Sequence, residues 1–114
     1  MGLLDLLTGA KGLRKPGRVW LGGKSLEEIL QAHQRFHLGQ PGGARADLTE
    51  ADLSQADLRG RDLTGAILVR CKLRDADLRG AKLGSADLTD ADLRGVDLRN
   101  CDLTETRLER ANLS

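Results

Sequence analysis

The chain has 114 residues, room for one domain, and a formal net charge of +1, which gives no bulk electrostatic case for nucleic acid or an anionic membrane as partner. Charged residues make up 31% and aromatics 2%, a profile that leans towards disorder in an aperiodic sequence, so order has to come from repetition. Two cysteines, Cys71 and Cys101, fit neither a disulfide-rich secreted framework nor a zinc site with paired ligands, and a reduced, cytoplasmic setting is expected.

Residues 1–24 read as an N-terminal extension. MGLLDLLTGAKGLRKPGR sets four leucines ahead of its basic residues, the reverse of a secretory signal, and is too poor in apolar residues to span a bilayer. Leu6 stands where a myristoylation signal needs Ser or Thr. Leu3, Leu4, Leu6 and Leu7, with Lys11, Arg14, Lys15 and Arg18, are expected to pack on the chain or a partner, with peripheral contact to an anionic membrane as the alternative. In GRVWLGGKS, residues 17–25, five residues separate Gly17 from Gly23 where a phosphate-binding loop needs four. The stretch is read as a flexible joint, and no nucleotide or other cofactor is expected.

KSLEEILQAHQRFHLG predicts one helix over 25–38. Ser25 and Glu28 make a capping box, Leu26, Ile29, Leu30, His33 and Phe36 share an apolar face, and Gly39 is the stop. His33 and His37 stand four apart, a spacing that can hold a metal, but no third ligand accompanies them and no metal is expected. GQPGGAR, residues 39–45, is a turn-rich joint.

Over 46–114 every fifth residue is leucine, from Leu48 to Leu113, fourteen times without exception. A mostly small residue precedes each leucine by two positions, and Asp usually by one. A period of five matches neither 3.6 nor 2, so neither a helix nor a flat strand puts all these leucines on one face. A solenoid does, if each unit forms one side of a coil with the leucine and the small residue inward.

This A-(D/N)-L-x-x pattern resembles that of the pentapeptide-repeat family, matched from Ala46 to Ser114 by fourteen consecutive units. The resemblance implies an all-β solenoid, a right-handed quadrilateral β-helix of four units per coil and about three and a half coils, with the preceding α-helix as N-terminal cap. Many family members carry such a helix with a His three residues before an aromatic, as His33 and Phe36 stand here. The sequence stops in mid-repeat at Ser114, and the open edge of that last coil is expected to pair with a second copy as a homodimer.

On a twenty-residue coil, Asp57, Asp77 and Asp97 stack beside Arg59, Arg79 and Arg99 as an ion-pair ladder, and Glu50, Arg70, Asp90 and Arg110 form a second. The repeats hold 14 acidic and 11 basic residues, a net of −3. Some relatives imitate the DNA duplex in shape and negative charge and modulate a DNA-binding enzyme such as gyrase. Here the interleaved arginines make that the alternative. The leading expectation is a non-enzymatic scaffold or protein-interaction module, without catalytic residues and without direct nucleic-acid contact.

The rhythm slips within residues 56 to 78. Arg61 and Cys71 take inward slots, whereas Ile67 and Val69 take outward ones. Ile67, Val69, Arg70, Lys72 and Arg74 are the candidate partner contact, an exposed apolar pair beside three cations.

Overall fold

The computed structural model describes residues 12–114. The expected packing of Leu3, Leu4, Leu6 and Leu7 lies outside the described residues.

From Asp47 onward the backbone pairs in parallel with the chain twenty residues further along, on four successive sides. Asp47, Ile67, Asp87 and Arg107 stack on the first side and Asp52, Lys72, Asp92 and Asn112 on the second. Asp57, Asp77 and Asp97 stack on the third, and Asp62, Lys82 and Asp102 on the fourth. The Leu48 N–H donates to the Ile67 carbonyl at 2.7 Å and the Ile67 N–H donates back to that of Ala46 at 3.0 Å. The same exchange, repeated around the coil, satisfies the backbone although no side is longer than a few residues.

Each of the five positions has its own physical task. The leucine and the small residue two before it fill the interior. The leucine carbonyl then accepts from the N–H three residues on, as Leu48 does from Ala51 at 3.0 Å, closing a corner. The corner residue, two after the leucine, is left-handed: glycine at 60, 65, 80 and 95, and nine other residues with φ between +57° and +61°. That is the demand a type II turn makes of its third residue. The Asp before the leucine accepts from the N–H two residues on, as Asp47 does from Thr49 at 3.1 Å and Asp62 from Thr64 at 3.0 Å. Asn112 does the same for Ser114, which explains why either Asp or Asn serves at this slot.

The core is closed from Leu48 to Leu93, where ten leucines lie within 2% of full burial beside Ala46, Ala56, Ala66, Cys71, Ala81 and their neighbours. Beyond it Leu98 and Leu108 are half-buried, while Leu103 and Leu113 are 39% and 56% exposed. A leucine is covered only when a coil follows it and another coil or the N-terminal segment precedes it, so the expectation of an inward column of fourteen holds for orientation but not for burial.

At the other end the preceding segment closes the coil. The Arg14 N–H donates to the Gln55 carbonyl at 2.7 Å and the Arg14 carbonyl accepts from Asp57 at 2.8 Å, so this stretch pairs with the third side as an earlier coil would. A 3-10 turn, Pro16–Arg18, follows, with Pro16 buried. β1 (Trp20–Leu21) and β2 (Lys24–Ser25) then pair antiparallel. The joint expected at 17–25 is thus ordered, because Gly22 and Gly23 sit at φ +61° and +94°, the two left-handed residues that a tight hairpin turn needs.

α1 (Leu26–His37) starts at Ser25 with both halves of the capping box present. It ends in a Schellman arrangement: Gly39 (φ +66°) donates to the Phe36 carbonyl at 3.2 Å and Gln40 to that of Arg35 at 2.9 Å. Leu26, Leu30 and His33 are buried. Phe36, expected on the same face, is 47% exposed. It lies at the last turn, where Gly43 passes so close that a Cβ there would stand 2.4 Å from the Phe36 nitrogen, and this crossing backbone covers the helix instead of a ring.

Candidate functional site

Ile67 and Val69 lie on the first side of the coil and are half-buried, less open than an exposed pair. Flanking coils explain the difference: Ile67 is paired on both edges, with Asp47 and Asp87, and its neighbours shield it. Within this side they are the apolar exception, since the equivalent residues are Asp47 and Thr49 on one flank and Asp87 and Thr89 on the other. The Ile67 side chain cannot accept a hydrogen bond, so its unit lacks the Asp-to-N–H contact that Asp47 and Asp87 make to Thr49 and Thr89.

The three cations do not share that side. Arg70 is the left-handed corner at φ +57°, and beyond it Lys72 and Arg74 belong to the second side, both exposed. The five residues therefore wrap around one corner. Two of the charges have acidic neighbours, since Arg70 donates to Glu50 at 3.2 Å and Arg74 stands 4.0 Å from Asp75, while the Lys72 backbone is bridged to those of Asp52 and Asp92.

On the third side the ladder pairs chiefly within each unit. Arg59, Arg79 and Arg99 each grip the Asp two residues earlier through Nε and Nη2, at 2.6 to 3.2 Å. Contacts to the next coil are looser, at 3.8 Å for Arg59 with Asp77 and 3.7 Å for Arg79 with Asp97. The guanidinium of Arg99 holds the Asp97 carboxyl down to about 2, and that of Arg94 does the same for Asp92.

Arg61, whose equivalents are Ala81 and Cys101, turns out of the coil towards α1. Its Nη1 and Nη2 donate to the two carboxylate oxygens of Glu27 at 2.9 and 2.6 Å. That forked contact lowers the Glu27 carboxyl and raises the guanidinium. Cys71 packs wholly inside, and burial pushes its thiol up to about 12. Cys101 is half-buried and donates to the Leu78 carbonyl at 2.7 Å. Both thiols are free.

A second convergence joins α1 to the fourth side. His33 Nδ1 accepts from the buried Ala46 N–H at 3.0 Å, and its Nε2 meets the Thr64 carbonyl at 2.8 Å. His37 Nε2 reaches the same carbonyl. Asp62 completes a group of three with ligand atoms within 4.8 Å of one another. Sequence reasoning finds no third ligand because Asp62 is an ordinary member of the repeat; only the docking of α1 brings it near. The donor set is nevertheless spent. An N–H facing Nδ1 puts the lone pair there and the proton on Nε2, which leaves His33 no free lone pair for a metal. Burial, offset in part by the Thr64 carbonyl, lowers the His33 pKa and keeps the ring neutral.

The family model described as "Pentapeptide repeats" matches residues 44–80 and 76–114, in eight copies. Among solved structures, a pentapeptide repeat protein (Rfr23) from the cyanobacterium Cyanothece 51142 is similar at 36% identity and a TM-score of 0.51, covering 60% of this chain and 50% of that one. One from the Arabidopsis thaliana thylakoid lumen is also 36% identical, with a TM-score of 0.31, covering 60% of this chain and 51% of that one. HetL from Nostoc sp. strain PCC 7120, described as involved in heterocyst differentiation regulation, is 38% identical with a TM-score of 0.32, covering 58% of this chain and 38% of that one. The chain thus spans about half the length of the first two. Among curated proteins none matches it significantly. Among the described residues no helix is long and apolar enough to cross a membrane.

Proposed function

The chain belongs to the pentapeptide-repeat family, whose fold is the right-handed quadrilateral β-helix, and from that premise we propose that it is a non-enzymatic interaction module of about three and a half coils, capped by α1, that presents one corner to another protein. The observation that carries this reading is the Ile67–Val69 pair. On a side where every other unit offers Asp and Thr or charged residues, it is the one place where desolvation by a partner costs no polar group. Arg70, Lys72 and Arg74 would rim that contact with exposed polar groups. The internally paired Asp–Arg ladder favours this reading over a mimic of the DNA duplex, because each aspartate's charge is answered two residues away. Two free cysteines are in keeping with a reduced, cytoplasmic setting.

The test is the double substitution Ile67→Asp with Val69→Thr. It restores the repeat's own chemistry, an Asp that can accept from the N–H two residues on, so stability should stay within about 1 kcal/mol of the parent. Capture of partners by the immobilised protein, read by quantitative mass spectrometry against the parent, should be lost. Undiminished capture by a folded double variant would end the proposal.

The proposal extends to a homodimer. Leu103 and Leu113 are exposed at the last coil, and burying them against a second copy removes apolar surface from water.

A further inference from the structure

Between the 3-10 turn and the first coil lies a wide, open cleft of about 740 Å³. One wall is the turn, with Lys15 and Arg18; the other is the coil's third side and its neighbour, with Arg59 and Arg61. Glu27 and Asp57 are the acids in the lining, so four lining cations face two lining carboxylates, a surplus of two positive charges there; Asp77, 3.8 Å from Arg59, is the next acid and is held chiefly by Arg79.

The two carboxylates are already committed. Glu27 takes both terminal nitrogens of Arg61, and Asp57 takes Nε and Nη2 of Arg59 at 2.8 Å. These pairs fix both guanidinium planes and leave Nη1 of Arg59 free of Asp57. Among the described residues no ion pair within 4.0 Å joins Lys15 or Arg18 to an acid, and Lys15 acts on Asp57 only from a greater distance, helping Arg59 to lower its carboxyl. The backbone that carries these two is itself pinned. Arg14 is bonded to the coil through both its N–H and its carbonyl, Pro16 and Val19 are buried, and the Arg18 N–H donates to the Lys15 carbonyl at 2.8 Å. The cations are thus held across a gap, and neither wall can collapse onto the other to neutralise them.

We propose that this cleft is a binding site for a small phosphorylated molecule, whose phosphoryl group Lys15, Arg18 and the free edge of Arg59 grip together. The chemistry favours phosphate because guanidinium forks match its oxygens and two surplus charges balance a dianion. The Glu27–Arg61 pair positions the wall and also ties the site to the helix, so occupancy strengthens the joint between α1 and the coil. The site owes nothing to the glycines at 22 and 23, which belong to the hairpin turn.

The experiment is a titration of the full chain with inorganic pyrophosphate at constant ionic strength, followed by amide and arginine side-chain NMR. Saturable shifts should centre on Lys15, Gly17, Arg18 and Arg59. Binding should weaken by about tenfold or more when Lys15→Ala and Arg18→Ala are combined, and stay unchanged in Arg99→Ala, the same ladder two coils away. Lys15 and Arg18 are exposed, so the double variant should keep the parent's amide spectrum elsewhere. Shifts that grow linearly, that chloride reproduces at equal ionic strength, or that survive the double substitution would each overturn the site. A phosphoserine peptide that binds while pyrophosphate does not would overturn the small-molecule assignment.

Discussion

Replacing His33 by Leu tests how the helix is joined to the coil. The substitution keeps an apolar side chain of moderate size in a fully buried slot and removes both ring nitrogens. The Ala46 N–H, also buried, then has no acceptor, while the Thr64 carbonyl keeps His37. An orphaned buried donor costs about 1 to 3 kcal/mol and a lost hydrogen bond about 0.5 to 1.5, so the loss at neutral pH should be roughly 2 to 4 kcal/mol. The pH dependence is the sharper readout. Protonating His33 places a proton on Nδ1 against the Ala46 N–H, donor against donor. Burial, His37 and Arg45 also oppose the charge, and only the Thr64 carbonyl and Asp62 favour it. The folded pKa therefore lies below the unfolded value, and the unfolded chain takes up more protons between the two. This contribution is complete above about pH 6.5 and is lost as pH falls through the folded pKa. Urea melts at steps from pH 7.5 to 4.8 should show the parent weakening below about 6.5 and the variant nearly flat there; the repeat aspartates, whose pKa values are lowered, lose their share only further down. A variant within about 0.5 kcal/mol of the parent at pH 7.5, or one that keeps the parent's slope, would refute the role given to His33 in joining α1 to the coil.

Gly43→Ala puts a Cβ 2.4 Å from the Phe36 nitrogen and 2.6 Å from its Cα. Neither backbone can yield, and thermal melts should show a loss of about 3 kcal/mol or more; Gly80→Ala, left-handed at +71° but with nothing nearer than the Gly60 backbone at 4.0 Å, should lose only about 1 kcal/mol. Glu27→Ala strands the half-buried Arg61 and should cost about 1 to 2 kcal/mol. Adding Arg61→Ala should recover much of it, since Ala is the residue that slot holds at position 81, and a double-mutant cycle that is simply additive would contradict the pairing. Light scattering at micromolar concentration should give twice the chain mass, and Leu103→Glu with Leu113→Glu should give one; a single-chain mass for the parent refutes the homodimer.

The repeat was legible because its physics is local. A leucine every fifth residue can meet its equivalents only on a coil, an Asp caps the N–H two residues away, and the corner closes within four residues. Each unit states its own conformation, so fourteen in phase state the coil. The capping box of α1 and its glycine stop are local for the same reason. The candidate contact was legible as a break in the pattern at Ile67 and Val69, but its shape was not. That it turns a corner at Arg70, and that flanking coils half-cover the pair, follow from stacking between residues twenty apart.

What only the tertiary structure decided is the junction. Arg14 pairs with Ala56, forty-two residues later, and Arg61 finds Glu27 thirty-four residues back. His33 spans Ala46 and Thr64, while Phe36, its partner on the predicted apolar face, stays in water because the backbone at Gly43 already covers that turn. Periodicity says which side of a helix is apolar; how the helix lies across the coil depends on contacts whose partners carry no local mark of one another. The same holds for the cleft, where cations from the turn and the first coil become neighbours only after both have docked.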